Sequence, residues 1–90
     1  MSELRDNTVE SQYELDEGGH TSFARYRKED GVLTILWVEA PAELRGTGAA
    51  GRLMAQVAGE AARNKWRVVP VCGYAAGWLR GSKQYRDLVA

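Results

Sequence analysis

Apolar and polar residues alternate through the first half of the chain and change to a helical period in the second. Met1 to Asn7 is mostly polar and predicts a flexible N-terminal tail over residues 1–7, followed by one domain over residues 8–90. Val9 to Asp16 alternates weakly and predicts a strand with Tyr13 and Leu15 on one face. Glu17-Gly18-Gly19 marks a turn, after which Thr21 to Lys28 alternates, with Phe23, Arg25 and Arg27 set against Ala24 and Tyr26. Glu29-Asp30-Gly31 contains the Asp-Gly pair that tight hairpins favour. Val32 to Val38 is the most strongly apolar run, rich in β-branched and aromatic residues, and predicts a central strand buried on both faces. Pro41 ends that strand or introduces a bulge, because proline cannot donate to a sheet ladder.

From Thr47 to Lys65 the period is that of a helix. Ala50, Leu53, Met54, Val57, Ala58 and Ala61 share one side, while Arg52, Gln56, Glu60, Arg63 and Asn64 share the other. Arg67 to Val71 reads as a short buried strand, Ala75 to Arg80 as a helix, and Gln84 to Val89 as a terminal turn. A strand–helix–strand unit with so long a crossover places its two strands parallel and adjacent. The expected fold is therefore α+β (mixed α/β): a three-strand antiparallel meander, a long helix, a fourth strand parallel to the third, and a C-terminal helix.

Composition narrows the chemistry. Twelve basic and twelve acidic side chains give a net charge of +0, so nothing draws the chain toward nucleic acid or an anionic membrane. No apolar stretch approaches the length of a membrane span. The polar segment from Met1 to Gln12 does not read as a signal peptide. Single copies of Cys72 and His20 exclude an internal disulfide and a Cys/His metal cluster, so no metal is expected. A reducing, cytoplasmic setting is the expectation.

The most informative segment is Arg45-Gly46-Thr47-Gly48-Ala49-Ala50-Gly51, between the apolar strand and the long helix. Glycines let the backbone approach a ligand, and the free amides of a helix's first turn attract anions. Arg45 and Arg52 are close enough in sequence to add positive charge, so the turn reads as a phosphate site. Its letters fit the G-x-G-x-x-G dinucleotide pattern, but Glu39 to Arg45 separate it from the strand. The acid expected about 20 residues further on is also missing, since none occurs between Ala61 and Arg86. A P-loop is excluded because no Gly-Lys-Ser/Thr follows. The remaining alternative is a helix entry that uses glycine only to turn.

Arg45-Gly46-Thr47-Gly48-Ala49-Ala50 resembles the Arg/Gln-x-x-Gly-x-Gly/Ala signature of the GNAT acetyltransferase superfamily. Together with Glu39 to Gly46, Val69-Pro70-Val71-Cys72-Gly73-Tyr74 and Tyr85-Arg86-Asp87-Leu88-Val89, it is similar to the short single-domain GNAT-like N-acetyltransferases, over about Tyr13 to Val89. The resemblance implies a sheet whose strands Val32 to Val38 and Arg67 to Val71 splay apart to admit the pantetheine arm of an acyl-coenzyme A. The pyrophosphate would rest on Arg45, Gly46, Thr47, Gly48, Ala49, Ala50 and Gly51, with Cys72 and Tyr74 near the thioester. Two departures stand out. Short members commonly have His-Thr before the glutamate where this chain has Trp37-Val38, and Cys-Pro or Cys-Ser where it has Cys72-Gly73.

Acetyl transfer needs a neutral amine, a polarised carbonyl and a proton for the departing thiolate. Glu39 is a candidate general base; alternatively, it is a solvated strand-end carboxylate. Cys72 is a candidate acyl carrier or proton donor; alternatively, it is a small residue lining the tunnel. Tyr74 is a candidate donor to the leaving sulfur, and Trp37, Trp66 and Trp78 read as core or subunit-contact residues. The resemblance thus implies an acetyl-coenzyme A-dependent N-acetyltransferase in which an amine, of a protein or peptide, attacks the thioester directly. A homodimer is one way to complete the acceptor side. The alternative is a non-catalytic acyl-coenzyme A-binding module, favoured by the lost histidine; a structural interaction domain with an empty turn is the third.

Overall fold

The computed structural model describes residues 3–90, and within it two-residue turns set the register of a meander. Gly18 and Gly19 have φ of 57° and 81°, and Asp30 and Gly31 have φ of 52° and 76°. Positive φ at both central positions gives a backbone twist that matches the flanking strands, so Glu17 pairs with His20 and Glu29 with Val32. The strands are β1 (Leu4–Asn7), β2 (Gln12–Glu17), β3 (His20–Glu29), β4 (Val32–Glu39) and β5 (Arg67–Pro70). Helix α1 (Ala49–Arg63) joins β4 to β5, and α2 (Gly73–Arg80) follows β5. Short 3₁₀ turns occupy Ala42–Leu44 and Arg86–Leu88. The sheet order is β1-β2-β3-β4-β5, antiparallel except for the parallel β4–β5 pair. The expected α+β class, long helix and parallel pair are all present.

One segment expected as a tail is a strand. From Leu4 the chain pairs with β2, adding β1 to the outer edge of the expected meander, while Met1 and Ser2 lie outside the described residues. With a single apolar residue in the segment, side-chain bonds supply the order. Arg5 donates to Glu14 (2.6 Å) and Asp16 (2.5 Å), Asn7 donates to Glu14 (2.9 Å), and Leu4 N–H donates to Gln56 Oε1 on α1 (3.1 Å). Val9, expected in a strand, is exposed in the β1–β2 connection.

One continuous core joins Tyr13 and Leu15 (β2), Ala24 and Tyr26 (β3), and Leu33 and Ile35 (β4) to Leu53, Met54, Val57, Ala58 and Ala61 (α1) and Ala75 and Leu79 (α2). Both helices therefore cover the same face of the sheet. This corrects the expectation that β4 is buried on both sides: Leu33, Ile35 and Val38 are buried, whereas Trp37 is 54% exposed. The free edge of β5 is covered by the end of the chain, where Val68 bridges to Val89 and Ala90 N–H donates to the Val68 carbonyl (2.9 Å).

Several titrating groups of this framework have displaced pKa values. Asp16 is held at about 2, first by the hydrogen bond from Arg5 and then by that from Thr21. Glu14 is lowered, first by Gln12 and then by Asn7. Tyr26 is pushed up to about 12 by burial and by its hydrogen bond to Asp6. Depressed carboxyls contribute stability that is present at neutral pH and lost as pH falls from about 4 towards 2. A raised phenol contributes stability that is full below about pH 10 and lost as pH rises towards 12. Thermal melts across pH are expected to show a plateau with both shoulders. Arg5→Met should shrink the acid shoulder, chiefly through Asp16, and leave the alkaline one, and an unchanged acid shoulder in that variant would contradict the assignment.

Candidate functional site

The parallel ladder between β4 and β5 is short. It runs from Val32–Arg67 to Ile35–Pro70 and stops there, with Val71 and Cys72 N–H both donating to the Ile35 carbonyl (2.9 and 3.2 Å). The cause lies one residue further along β4. On the β3 side, Tyr26 pairs with Ile35 but Arg25 pairs with Trp37, so Leu36 is an extra residue, a β-bulge. A bulge bends its strand and strengthens the local twist, which turns Trp37 to Glu39 away from the line of β5. Beyond it these residues pair with β3 alone, through Arg25–Trp37, Ala24–Val38 and Phe23–Glu39.

The mouth of this opening is the start of α1. The chain leaves Pro41 through the 3₁₀ turn at Ala42–Leu44 and reaches Gly46 and Gly48 at φ of 81° and 85°. Gly48 is the helix N-cap and has no side chain to bond the leading amides, and no acid lies in the first helical turn. Helix starts ordinarily attract Ser, Asp or Glu for both purposes. The amides of Ala49, Ala50 and Gly51 thus present an uncompensated positive pole. Arg45 is exposed, donates to the Ala40 carbonyl (3.3 Å) and forms no ion pair among the described residues. Arg52, expected to share that charge, is bonded to Glu17 through Nε (2.8 Å) and Nη2 (3.1 Å), so its charge is matched within the protein.

A cleft of about 450 Å³ is lined both by Trp37, Val38 and Glu39 of β4 and by Arg45, Gly46 and Gly48 of the turn. Trp37 Nε1 donates to Glu39 Oε1 (3.0 Å), fixing an otherwise exposed carboxylate. Tyr74, 46% exposed, also lines the cleft, and a Cβ on Gly51 would stand 3.6 Å from its hydroxyl. A larger hollow of about 630 Å³ lies between β1 and the second half of α1. Its rim carries Glu3, Asp6 and Glu60 with only Arg63 opposing them, and no helix start opens onto it, so it is unsuited to an anion.

A family model described as GCN5-related N-acetyl-transferase matches residues 12–88. The chain belongs to that family. No curated protein matches the sequence. The domain is thus that of an acetyltransferase family, one that uses acetyl-coenzyme A.

The cleft of this member of the GCN5-related N-acetyltransferase family draws together most of the residues singled out from its sequence: Glu39, Arg45, Gly46, Gly48, Ala49, Ala50, Gly51 and Tyr74 all line it. Two do not. Thr47 turns its hydroxyl back onto the Leu44 carbonyl (2.6 Å), and Cys72 is buried as the residue capping α2. Four lining residues were missed: Trp37, Val38, Ala40 and Leu44. The bulge that turns Trp37 into the cleft shows as a break of burial parity between Ile35 and Val38, which the uniformly apolar sequence of this run conceals. The donors fit a pyrophosphate on their own chemistry, since the turn offers N–H groups and a guanidinium with no carboxylate in the helix's first turn. Among the described residues no group of acids, His and Cys is placed to hold a metal, and no helix is long and apolar enough to cross a membrane.

Proposed function

We propose that the chain is an acetyl-coenzyme A-dependent N-acetyltransferase in which a primary amine attacks the thioester directly. The supporting observation is a single cleft lined by an uncapped helix start, by a carboxylate and by the stretch of β4 beyond its ladder with β5. Acetyl-coenzyme A supplies the acyl group as a thioester. The amides of Gly48, Ala49, Ala50 and Gly51, with Arg45, hold the pyrophosphate. Backbone groups of Trp37 to Glu39 on the β5 side are available to the amides of the pantetheine arm. Glu39, oriented by the Trp37 indole, takes the proton that the amine must lose. The Tyr74 hydroxyl is the donor for the departing thiolate. Cys72 serves as a small packing residue behind the arm, because its thiol is buried and no histidine adjoins it in sequence. The acceptor is an amine on a protein or peptide, for which the uncovered face of the sheet leaves room, or the acceptor side is completed by a second copy. The setting is cytoplasmic.

One observation favours a second reading, a binding module without catalysis. Glu39 is the sole carboxylate lining the cleft among the described residues, and the Trp37 indole already engages one of its oxygens. Calorimetric titration with acetyl-coenzyme A, followed by thiol release across a panel of amines and lysine peptides, separates the two. Binding with turnover is expected. Binding without turnover on the whole panel supports the module, and absence of binding at millimolar cofactor contradicts both.

A further inference from the structure

The end of β2 meets the first turns of α1 through a side chain that also holds the glycine turn. Glu17, the last residue of β2, accepts two hydrogen bonds from the Arg52 guanidinium, at 2.8 and 3.1 Å. The same guanidinium donates through Nη1 to the Thr47 carbonyl (2.7 Å) and through Nη2 to Thr47 Oγ1 (3.3 Å). It also packs on the turn, since a Cβ on Gly48 would stand 3.2 Å from Nη1. On the same hairpin, His20 Nδ1 lies 3.8 Å from Glu43 Oε1 in the 3₁₀ turn, beyond hydrogen-bond distance.

The geometry has a direct consequence for the anion site. A trans peptide is planar, with its C=O and N–H pointing in opposite directions. Holding the Thr47 carbonyl against Arg52 therefore aims the Gly48 N–H the other way. Gly48 is at φ of 85°, where a glycine backbone has other low-energy choices, so the plane needs an external hold. We infer that Arg52 and Glu17 are positioning residues for cofactor binding: Arg52 fixes the Thr47–Gly48 peptide plane, and Glu17 fixes Arg52. This rests on the turn holding a pyrophosphate. Glu17 also matches the charge of Arg52, so the pair orients a donor without adding net attraction.

The competing role for Arg52 is that of a direct phosphate ligand which Glu17 restrains, and the two roles predict opposite signs. In calorimetric titration with coenzyme A, Glu17→Gln is expected to weaken affinity by about threefold to tenfold, the range for loss of a charged but exposed hydrogen-bonded pair. Tighter binding in that variant would identify a restrained ligand and overturn the inference. The second readout needs no cofactor. Backbone amide relaxation in the free protein is expected to show greater mobility at Gly48 in both Glu17→Gln and Arg52→Gln, with the amides of Leu53 and Val57 unchanged. Unchanged Gly48 mobility overturns the inference, as does mobility that rises equally along α1, which would mark general loosening. If the unmodified protein fails to bind coenzyme A, the pyrophosphate assignment fails, while the Gly48 amide still decides whether the brace exists.

Discussion

Deletion of Leu36 is expected to leave a folded chain that no longer binds acetyl-coenzyme A at millimolar concentration. Removing most residues from a strand inverts every side chain beyond them, but here the inversion already exists and the deletion undoes it. Leu33 and Ile35 point into the core, Leu36 is the unmatched residue, and Val38 points in again. Without Leu36 the alternation runs unbroken, and Arg25–Trp37 follows Tyr26–Ile35 without a jump. The straightened strand then lies alongside the residues after Pro70, and the ladder now ending at Ile35–Pro70 can continue. The strand edge assigned to the pantetheine arm would thereby be filled by the protein itself. Extra ladder bonds offset the lost contacts of a partly buried leucine, so the melting temperature should move by no more than about 5 °C, roughly 1 kcal/mol for a domain of this size. Leu36→Ala keeps the extra residue and should keep binding. Retained affinity in the deletion variant, measured by titration, would show that the bulge does not open the cleft.

Gly48→Asp is expected to weaken cofactor binding about a hundredfold, or about 2.8 kcal/mol. Two effects act at that position. At φ of 85° any residue with a Cβ is strained, and the added carbon meets Arg52 Nη1 at 3.2 Å. That disturbance is shared by Gly48→Asn, which has the same shape without the charge. Aspartate adds a carboxylate beside the amides proposed to hold the pyrophosphate. Like charges about 4 Å apart repel by about 1 to 4 kcal/mol between bulk water and a protein surface. Asparagine should therefore cost about tenfold less than aspartate, and the gap should narrow in high salt. Equal losses for the two variants would assign the effect to backbone strain and remove the electrostatic case for the site.

Local chemistry made some of this structure legible in sequence and long-range pairing hid the rest. Asp30-Gly31 announced its hairpin because only a few residue pairs accept positive φ at both positions. The period of Leu53, Met54, Val57, Ala58 and Ala61 announced α1, and Gly46 to Gly51 announced the mouth of the cleft. Strand β1 gave no such signal, since Leu4 alone is apolar and the order comes from Arg5 meeting Glu14 and Asp16 on the next strand. The apolar run Val32 to Val38 suggested burial on both faces because a bulge inside such a run leaves no polar gap. The Glu17–Arg52 pair joins residues 35 positions apart, and spacing along the chain carries no trace of it.

The order of the sheet also bears on how the molecule assembles. Strands β1 to β4 are neighbours in sequence as well as in space, and the β2–β3 and β3–β4 connections have only two residues each. The β4–β5 pair instead requires α1 to be traversed first, so its loop-closure entropy is the largest in the sheet and its contacts are the least local. The cleft proposed for the cofactor starts where that ladder stops, with Trp37 to Glu39 lining it beyond the last pair, Ile35–Pro70. The pairing that is entropically dearest to close therefore ends at the cleft, where a ligand that binds only the native state would add to its stability by mass action.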